Sequence, residues 1–489
     1  MPKKATIIGA GIGGLAVASL LAKKGYDVTL FEKNSTPGGK MQQYREKGYR
    51  FDTGPSLLTM PFILNKLFET CGEDLYDYLS FSELEPLCRY FYPDGTLFDN
   101  YSEPEKSVNQ IKSFAPGDAD TYKKFLNYSK ELYQKTADAF LFNPLYDFSD
   151  LRNLNFKDFL GIDAFKTVSQ KVDQQFTSPY LRKFFKRFTT YNGSSPFKAP
   201  ATLNAIPHVE LNQGGYYVND GLYQIAESLH QLGEKMGVRF NFNTSIRKII
   251  VEDDIVTGIQ EDDGSIYPTD ILFSNADATE TILNLLPDPS ISKRRKSKQQ
   301  AIEPSCSGFV LLLGCSKQWD QLKHHNIFFS ENYEKEFEDI FDKKTMPGDP
   351  TIYIANTSYS DSNHAPKNSS NLFILVNSPY VDEQDWETIK NKYSSFLIKQ
   401  LEARGLAGLN ESIEIKKVIT PKDFYEKYLS NRGSIYGTSS NSRMAAFLRP
   451  RNKERAFKNL YMVGGSTHPG GGIPLVIQSA FNAISLLER

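Results

Sequence analysis

At 489 residues and a net charge of −1, the chain is long enough for two or three folding units with sizeable cores and has no general affinity for nucleic acid. It holds no run of the about eighteen apolar residues that a bilayer-spanning helix needs. Its four cysteines, Cys71, Cys88, Cys306 and Cys315, lack metal-ligand spacing and fit a reducing, cytoplasmic compartment, so no metal site is expected.

Ala5–Ile8 predicts a short buried strand entering Gly9-x-Gly11-x-x-Gly14, Leu15–Lys24 a helix, and Asp27–Phe31 a second strand that ends at Glu32. This is the pattern of a dinucleotide grip. Gly9 serves the tight turn, Gly11 lets backbone approach a pyrophosphate, and Gly14 lets helix pack closely on strand. The helix start, Ile12 and Gly13 included, turns free N–H groups toward the phosphates. Glu32, with Lys33 beside it, lies where a carboxylate accepts ribose hydroxyls and repels a 2′-phosphate, which disfavours NADP. Lys3-Lys4 before an apolar run also fits a signal peptide; Lys23-Lys24 and the ordered β-α-β pattern argue against it.

A second glycine pair separates NAD from FAD. Pro37-Gly38-Gly39-Lys40 and then Phe51-Asp52-Thr53-Gly54-Pro55-Ser56 follow Glu32. A nicotinamide dinucleotide has no use for this loop, whereas the longer FAD must be clamped along its length. Farther on, Tyr122 to Tyr191 is rich in rings, among them Phe140, Phe142, Tyr146, Phe148, Phe184, Phe185 and Phe188, with Arg182, Lys183, Lys186 and Arg187 interspersed. The mixture suits either headgroup depth at a membrane or an ordinary aromatic core. Gln224–Met236 predicts a helix, followed by strands at Val238–Phe242, Ile246–Val251, Val256–Ile259 and Ile271–Phe273. Lys293-Arg294-Arg295-Lys296 reads as a solvated helix face. Asn459–Val463 predicts a strand and Leu475–Leu487 a helix. The loop between them, from Gly464 through Gly471, Gly472, Ile473 and Pro474, again offers backbone N–H groups to an electron-rich target, the O2/N1 edge of a flavin.

The Gly-Gly-Lys loop, Phe51–Pro55 and above all Thr467-His468-Pro469-Gly470-Gly471-Gly472-Ile473-Pro474 resemble the carotenoid desaturases, the bacterial phytoene-desaturase type within the flavin amine oxidase superfamily. Tyr191–Ala201, Gly214–Val218, Ser274–Asp277, His324–Phe329 and Asp361–Pro366 extend the resemblance over nearly the whole chain. It implies an α/β fold: a Rossmann-like, discontinuous FAD-binding domain of parallel sheet and helices at 1–95, 213–289 and 430–489. An α+β substrate domain at 96–212 and 290–429 would carry an aromatic-rich, helical, membrane-facing part. The same resemblance sets Gly39 and Lys40 near the pyrophosphate and Gly54, Pro55 and Ser56 near the flavin ring. It brings the backbone at Ile246 to the adenine and Asn275 to the end of the second flavin-domain segment. The implied partners are a long acyclic carotenoid, the lipid surface of the inner membrane, to which the protein is peripherally attached, and oxygen or quinone as electron acceptor.

Gly54–Met60 and Ser439–Arg443 look more like 1-hydroxycarotenoid 3,4-desaturases than phytoene desaturases, so 3,4-desaturation of a hydroxylated carotenoid is favoured over action on phytoene. Such a reaction sends a hydride to flavin N5 and a proton to a base. Asp158 resembles an acid that this family is thought to use for the proton, although Gly161 stands where a cation is usual. His468 is expected to brace its loop, and His208 and Glu210 either meet substrate or hold the domain junction. A redox-neutral carotenoid isomerase, a flavin amine oxidase-like enzyme and a non-catalytic carotenoid carrier are the rival readings.

Overall fold

The computed structural model describes residues 1–143, 163, 165–442 and 449–489. Asp158, Tyr146 and Phe148 lie outside the described residues.

A five-stranded sheet carries the order Leu460–Met462, Ile271–Ser274, Lys4–Ile8, Asp27–Phe31, Arg239–Asn241, with every pairing parallel. Such a sheet is apolar on both faces and must be covered on both. One face receives helix Ile12–Lys23, whose Leu15, Val17, Leu20 and Leu21 are buried, together with helices Tyr223–Lys235 and Ile473–Leu487. The other face, through Phe31, Leu272 and Leu460, packs on Ile249, Val256 and Ile259 of a three-stranded antiparallel sheet, Ile246–Glu252, Ile255–Glu261 and Ile266–Pro268. The expected strand-turn-helix-strand and both later segments are therefore all members of one layered body.

The second body is a seven-stranded mixed sheet ordered Ile413–Ile419, Ser307–Cys315, Ser370–Ser378, Ile352–Asn356, His325–Phe328, Cys88–Phe91, Leu97–Asn100. Ser307–Cys315 is buried at every position. Its alternating side chains divide between two cores. Phe309, Leu311 and Leu313 join Trp386, Leu397 and Leu401 of helix Trp386–Ala403, while Val310 and Leu312 face Tyr49, Phe51 and Phe424. The boundary expected at 95 falls inside the hairpin Cys88–Phe91/Leu97–Asn100, and both of its strands belong to this sheet. The crossover between the bodies thus precedes Cys88.

The aromatic stretch differs from a membrane-facing surface in its described part. Tyr122, Phe125, Phe176, Phe184, Phe185 and Phe188 form one buried core, with Phe184 and Phe185 at 0% exposure. The basic residues among them are partnered by protein. Lys183 Nζ donates to the carbonyls of Ser330 (2.8 Å) and Glu331 (2.9 Å), Lys186 pairs with Asp173, and Arg187 is buried against Glu210. The helix Lys293–Gln300 does present its charges outward, with Arg295 reaching Glu454 at 2.9 Å. Among the described residues, no helix is long and apolar enough to cross a membrane.

One ion pair bolts the two bodies together. Arg50 and Asp52 meet in a buried two-point contact at 2.5 and 2.7 Å, and Asp52 also accepts the backbone N–H groups of Leu222 and Tyr223 at the start of helix Tyr223–Lys235. Asn371 of the seven-stranded sheet donates to the Arg50 carbonyl at 2.6 Å. Gly221 (φ +102°) lies flat against the guanidinium, where a Cβ would sit 1.9 Å from Arg50 Nη1.

Candidate active site

The three glycine turns converge. Gly38 N donates to the Ala10 carbonyl at 2.7 Å, and a Cβ on Gly39 would stand 3.1 Å from Gly11 Cα. A Cβ on Gly13 would come within 3.0 Å of the backbone N of Gly464, and one on Gly14 within 2.0 Å of the Gly9 carbonyl oxygen. Asn275 fills the seam, its amide 3.4 Å from the Gly9 carbonyl and its Oδ1 against both Gly13 and Gly464. Residues separated by some 450 positions in sequence thus form one wall.

That wall lines a cavity of about 770 Å³. Of the residues expected at the cofactor, all line it except Gly13, Gly14 and Gly464, which pack directly behind. Two helices begin at the cavity, Ile12–Lys23 from Gly11 and Ile473–Leu487 from Gly472. Neither has a side-chain cap or an acid in its first turn, so the starting N–H groups remain available to an anion. Glu32 is buried, with Oε2 accepting Ala10 N at 2.7 Å and Oε1 accepting the backbone and side-chain N–H groups of Asn34 at 2.9 and 2.7 Å. Oε2 keeps room for a further donor. Lys33 sits beside it with Nζ on the Glu426 carbonyl at 3.2 Å. Ile246, at the edge of the three-stranded sheet, lines the same end.

Lys40 ties the second glycine loop to the C-terminal third, its Nζ donating to the carbonyls of Ser434 (2.8 Å) and Ile435 (2.9 Å). Burial pushes its ammonium down to about 8, against a smaller opposing pull from Asp277. Arg449 is the cation that sequence reasoning missed. It is buried beside Gly470, where a Cβ would be 3.2 Å from its Cζ. Its Nη2 donates to the Thr438 carbonyl at 3.2 Å, while Nη1 has no partner among the described residues. Burial lowers it to about 10. His468, in the same loop, is pushed down to about 4 chiefly by burial and reaches the Asn143 carbonyl at 3.2 Å.

Beyond this cradle the cavity walls turn apolar, with Leu87, Ile206, Val209, Ile327 and Leu375, and two polar groupings interrupt them. Ser56, Tyr353 and His325 form a chain, with Ser56 Oγ to Tyr353 Oη 2.6 Å and Tyr353 Oη to His325 Nδ1 2.7 Å. Burial, aided by the Arg187 charge, holds His325 neutral, down to about 3. The second grouping is Arg187, Glu210 and Tyr191. Glu210 therefore lies in the cavity wall, whereas His208 is held by Asn212 at 2.7 Å and Gln213 at 3.3 Å and is absent from the lining.

These residues fit FAD. Two uncapped helix starts and a buried ammonium match a pyrophosphate, Glu32 matches a ribose, and glycine backbone lets a flat group lie close. The unpartnered Arg449 Nη1 beside the Gly470–Gly472 loop matches the electron-rich edge of a flavin.

The profile of the family described as Flavin containing amine oxidoreductase matches residues 12–483. A 1-hydroxycarotenoid 3,4-desaturase from a Flavobacterium species is 38% identical over 98% of this chain and 97% of its own length. A 4,4'-diaponeurosporene oxygenase from Staphylococcus aureus is 34% identical over 98% and 97%. Among solved structures, an oxidoreductase from Methanosarcina mazei superposes with a TM-score of 0.68, at 16% identity, covering 99% of this chain and 100% of its own.

Proposed function

The chain belongs to the flavin containing amine oxidoreductase family and, within it, to the carotenoid desaturases, and from that premise we propose that it introduces the 3,4 double bond into an acyclic 1-hydroxycarotenoid. It is an FAD-dependent oxidoreductase. The observation that carries the finer reading is the end-to-end likeness to the Flavobacterium enzyme, joined to a cavity that runs from the cofactor cradle into apolar walls.

When bound, FAD supplies the two-electron acceptor that dehydrogenation of adjacent saturated carbons needs. In this reading Glu32 holds the ribose, Lys40 and the helix start at Ile12 hold the phosphates, and the backbone at Ile246 meets the adenine. Gly54, Pro55, Gly471, Gly472 and Arg449 surround the ring. The apolar side chains beyond it exclude water and align the polyene. Hydrocarbon offers no polar handle, and one methylene is worth roughly 1–3 kcal/mol, so chain-length selection rests on wall shape. Residues 1–87, 213–289 and 430–489 form the cofactor domain and the remainder the substrate domain. Asp158 takes the proton, by its resemblance to the family's acid. The substrate is an oil, so the protein docks peripherally on the inner membrane face, and oxygen or a quinone removes the electrons.

Expression in hosts that make either phytoene or a 1-hydroxylated acyclic carotene, followed by mass analysis of the pigments, tests this. Loss of two hydrogens from the hydroxylated pigment is expected. An unchanged mass would point to isomerisation, and a gain of oxygen to the chemistry named for the Staphylococcus relative; either would end the desaturase reading.

A further inference from the structure

The grouping Arg187–Glu210–Tyr191 lies in the apolar part of the cavity, where the cofactor cradle makes no use of it. Arg187 is 6% exposed and Glu210 3%. Their Nη2–Oε1 contact is 2.6 Å, and the Tyr191 hydroxyl donates to Oε2 of the same carboxylate. The rest of the guanidinium surface meets rings, Phe188 at 4.1 Å and Tyr90 at 5.3 Å from their centroids. The guanidinium donates to Glu210 and lies beside the Tyr191 hydroxyl, and Nε is buried with no acceptor among the described residues.

A buried ion pair of this kind adds little to stability over apolar side chains of equal volume. In a tunnel for hydrocarbon it is costly as well, because each unfilled N–H is a desolvated donor. The set is electrically balanced, so a carboxylate arriving there would bring an unopposed negative charge. A hydroxyl matches it on both sides: its oxygen accepts from the guanidinium and its hydrogen goes to Glu210. The position is also informative. Tyr353 feels the charges of both Glu210 and Arg187, and its hydroxyl is 2.6 Å from Ser56, directly after Gly54-Pro55. Ser56, Tyr353, Arg187 and Glu210 all line the one cavity, so the ion pair shares its space with the segment assigned to the flavin ring. In a 1-hydroxylated chain, C3 is separated from the oxygen-bearing carbon by C2 alone. An anchor in the same cavity as the ring sets how far along the chain the reacting bond lies from the hydroxyl.

We propose that Arg187 and Glu210 bind the hydroxyl end of the polyene, selecting oxygenated over hydrocarbon termini and fixing which carbon–carbon bond faces the flavin. This rests on the reading of the chain as a desaturase of hydroxylated carotenoids. Replacing both partners together, Arg187→Met with Glu210→Met, removes the pair without stranding one charge, the change that buried pairs tolerate best. In detergent micelles the flavin-loaded wild type should bind the 1-hydroxylated carotene about a hundredfold more tightly than the hydrocarbon of equal length, read from the visible absorbance shift of the pigment. In the double variant the ratio should fall to within about threefold of unity, at unchanged flavin content. The wild type alone provides a second arm. The 1-methyl ether accepts but cannot donate to Glu210, and should bind about tenfold more weakly than the alcohol. Equal binding of alcohol, ether and hydrocarbon by the wild type, or a double variant that keeps the wild-type ratio, would overturn the anchor. Product masses are scored separately: a wild type that removes no hydrogens from any polyene sinks the desaturase reading, while the binding ratios still decide the anchor.

Discussion

Glu32 reaches across the first glycine turn to Ala10, its Oε2 accepting the Ala10 N–H at 2.7 Å while Oε1 is held by Asn34. The carboxylate is thus oriented before any cofactor arrives, and the lone pair left on Oε2 needs no reorganisation to accept a ribose hydroxyl. Glu32→Ala removes this charge-assisted contact, worth about 1.5–3 kcal/mol, and should raise the FAD dissociation constant by roughly 10- to 100-fold. Flavin fluorescence after ultrafiltration measures it, and an unaltered constant would dismiss the assigned role.

Gly13→Ala should yield protein with little or no flavin. Its Cβ would lie 2.7 Å from Asn275 Oδ1 and 3.0 Å from Gly464 N, so the first and last glycine turns must separate. A bound-flavin absorbance equal to that of wild type after purification would contradict this packing.

Lys40 gives the cofactor site a pH dependence. Without an anion its ammonium titrates near 8, lowered by burial. A pyrophosphate beside it favours the charged form, so binding of FAD takes up a proton at pH above about 8. Affinity should therefore be flat near neutrality and fall as pH rises past 8, approaching about tenfold per pH unit. Lys40→Met should bind more weakly at pH 7 and show no such slope; a wild-type titration curve that stays level to pH 9.5 would place Lys40 away from the phosphates.

Glu336 should make the fold itself acid-stabilised over one range. Among the described residues, Ser330 Oγ, Thr351 N and Thr351 Oγ1 all donate to its Oε2, and Oε1 is buried without a partner. Burial raises its carboxyl from the ordinary 4.5 to about 7. The folded state then binds more protons than the unfolded state between those values, so stability falls as pH rises from 4.5 to 7. The loss is roughly 3 kcal/mol at about 1.36 kcal/mol per pH unit. Urea unfolding across this range should show the slope in wild type and its absence in Glu336→Gln.

Much of the cofactor grip was legible because it is local. Strand, glycine turn, helix and acid are set by neighbours in sequence, and Gly9 to Glu32 lies in the structure as its pattern predicts. What was not legible depends on long-range placement. Arg187 sits in a basic run and reads as surface; Leu181, Phe184, Phe185 and Phe188 recur at helical spacing, and Arg187 flanks that face, over the Phe188 ring at 4.1 Å from its centroid. Its charge argued for water, and the carboxylate that neutralises it in the core, Glu210, lies on another helix, Ile206–Leu211. Tyr353 lies on a strand, Ile352–Asn356, too short to announce a face. Asp52 carried no expectation of its own: its carboxylate braces Arg50 and the start of the helix at Tyr223, a partner 171 positions away.

The seam between Gly13 and Gly464 also has a consequence for biogenesis. On the ribosome the β-α-β unit at Lys4–Phe31 emerges well before the wall it needs at Gly464. Newly made chains must therefore wait with an unfinished cradle, and coenzyme loading becomes a post-translational event. Products that end before Gly464 will be apoprotein whatever the riboflavin supply of the cell.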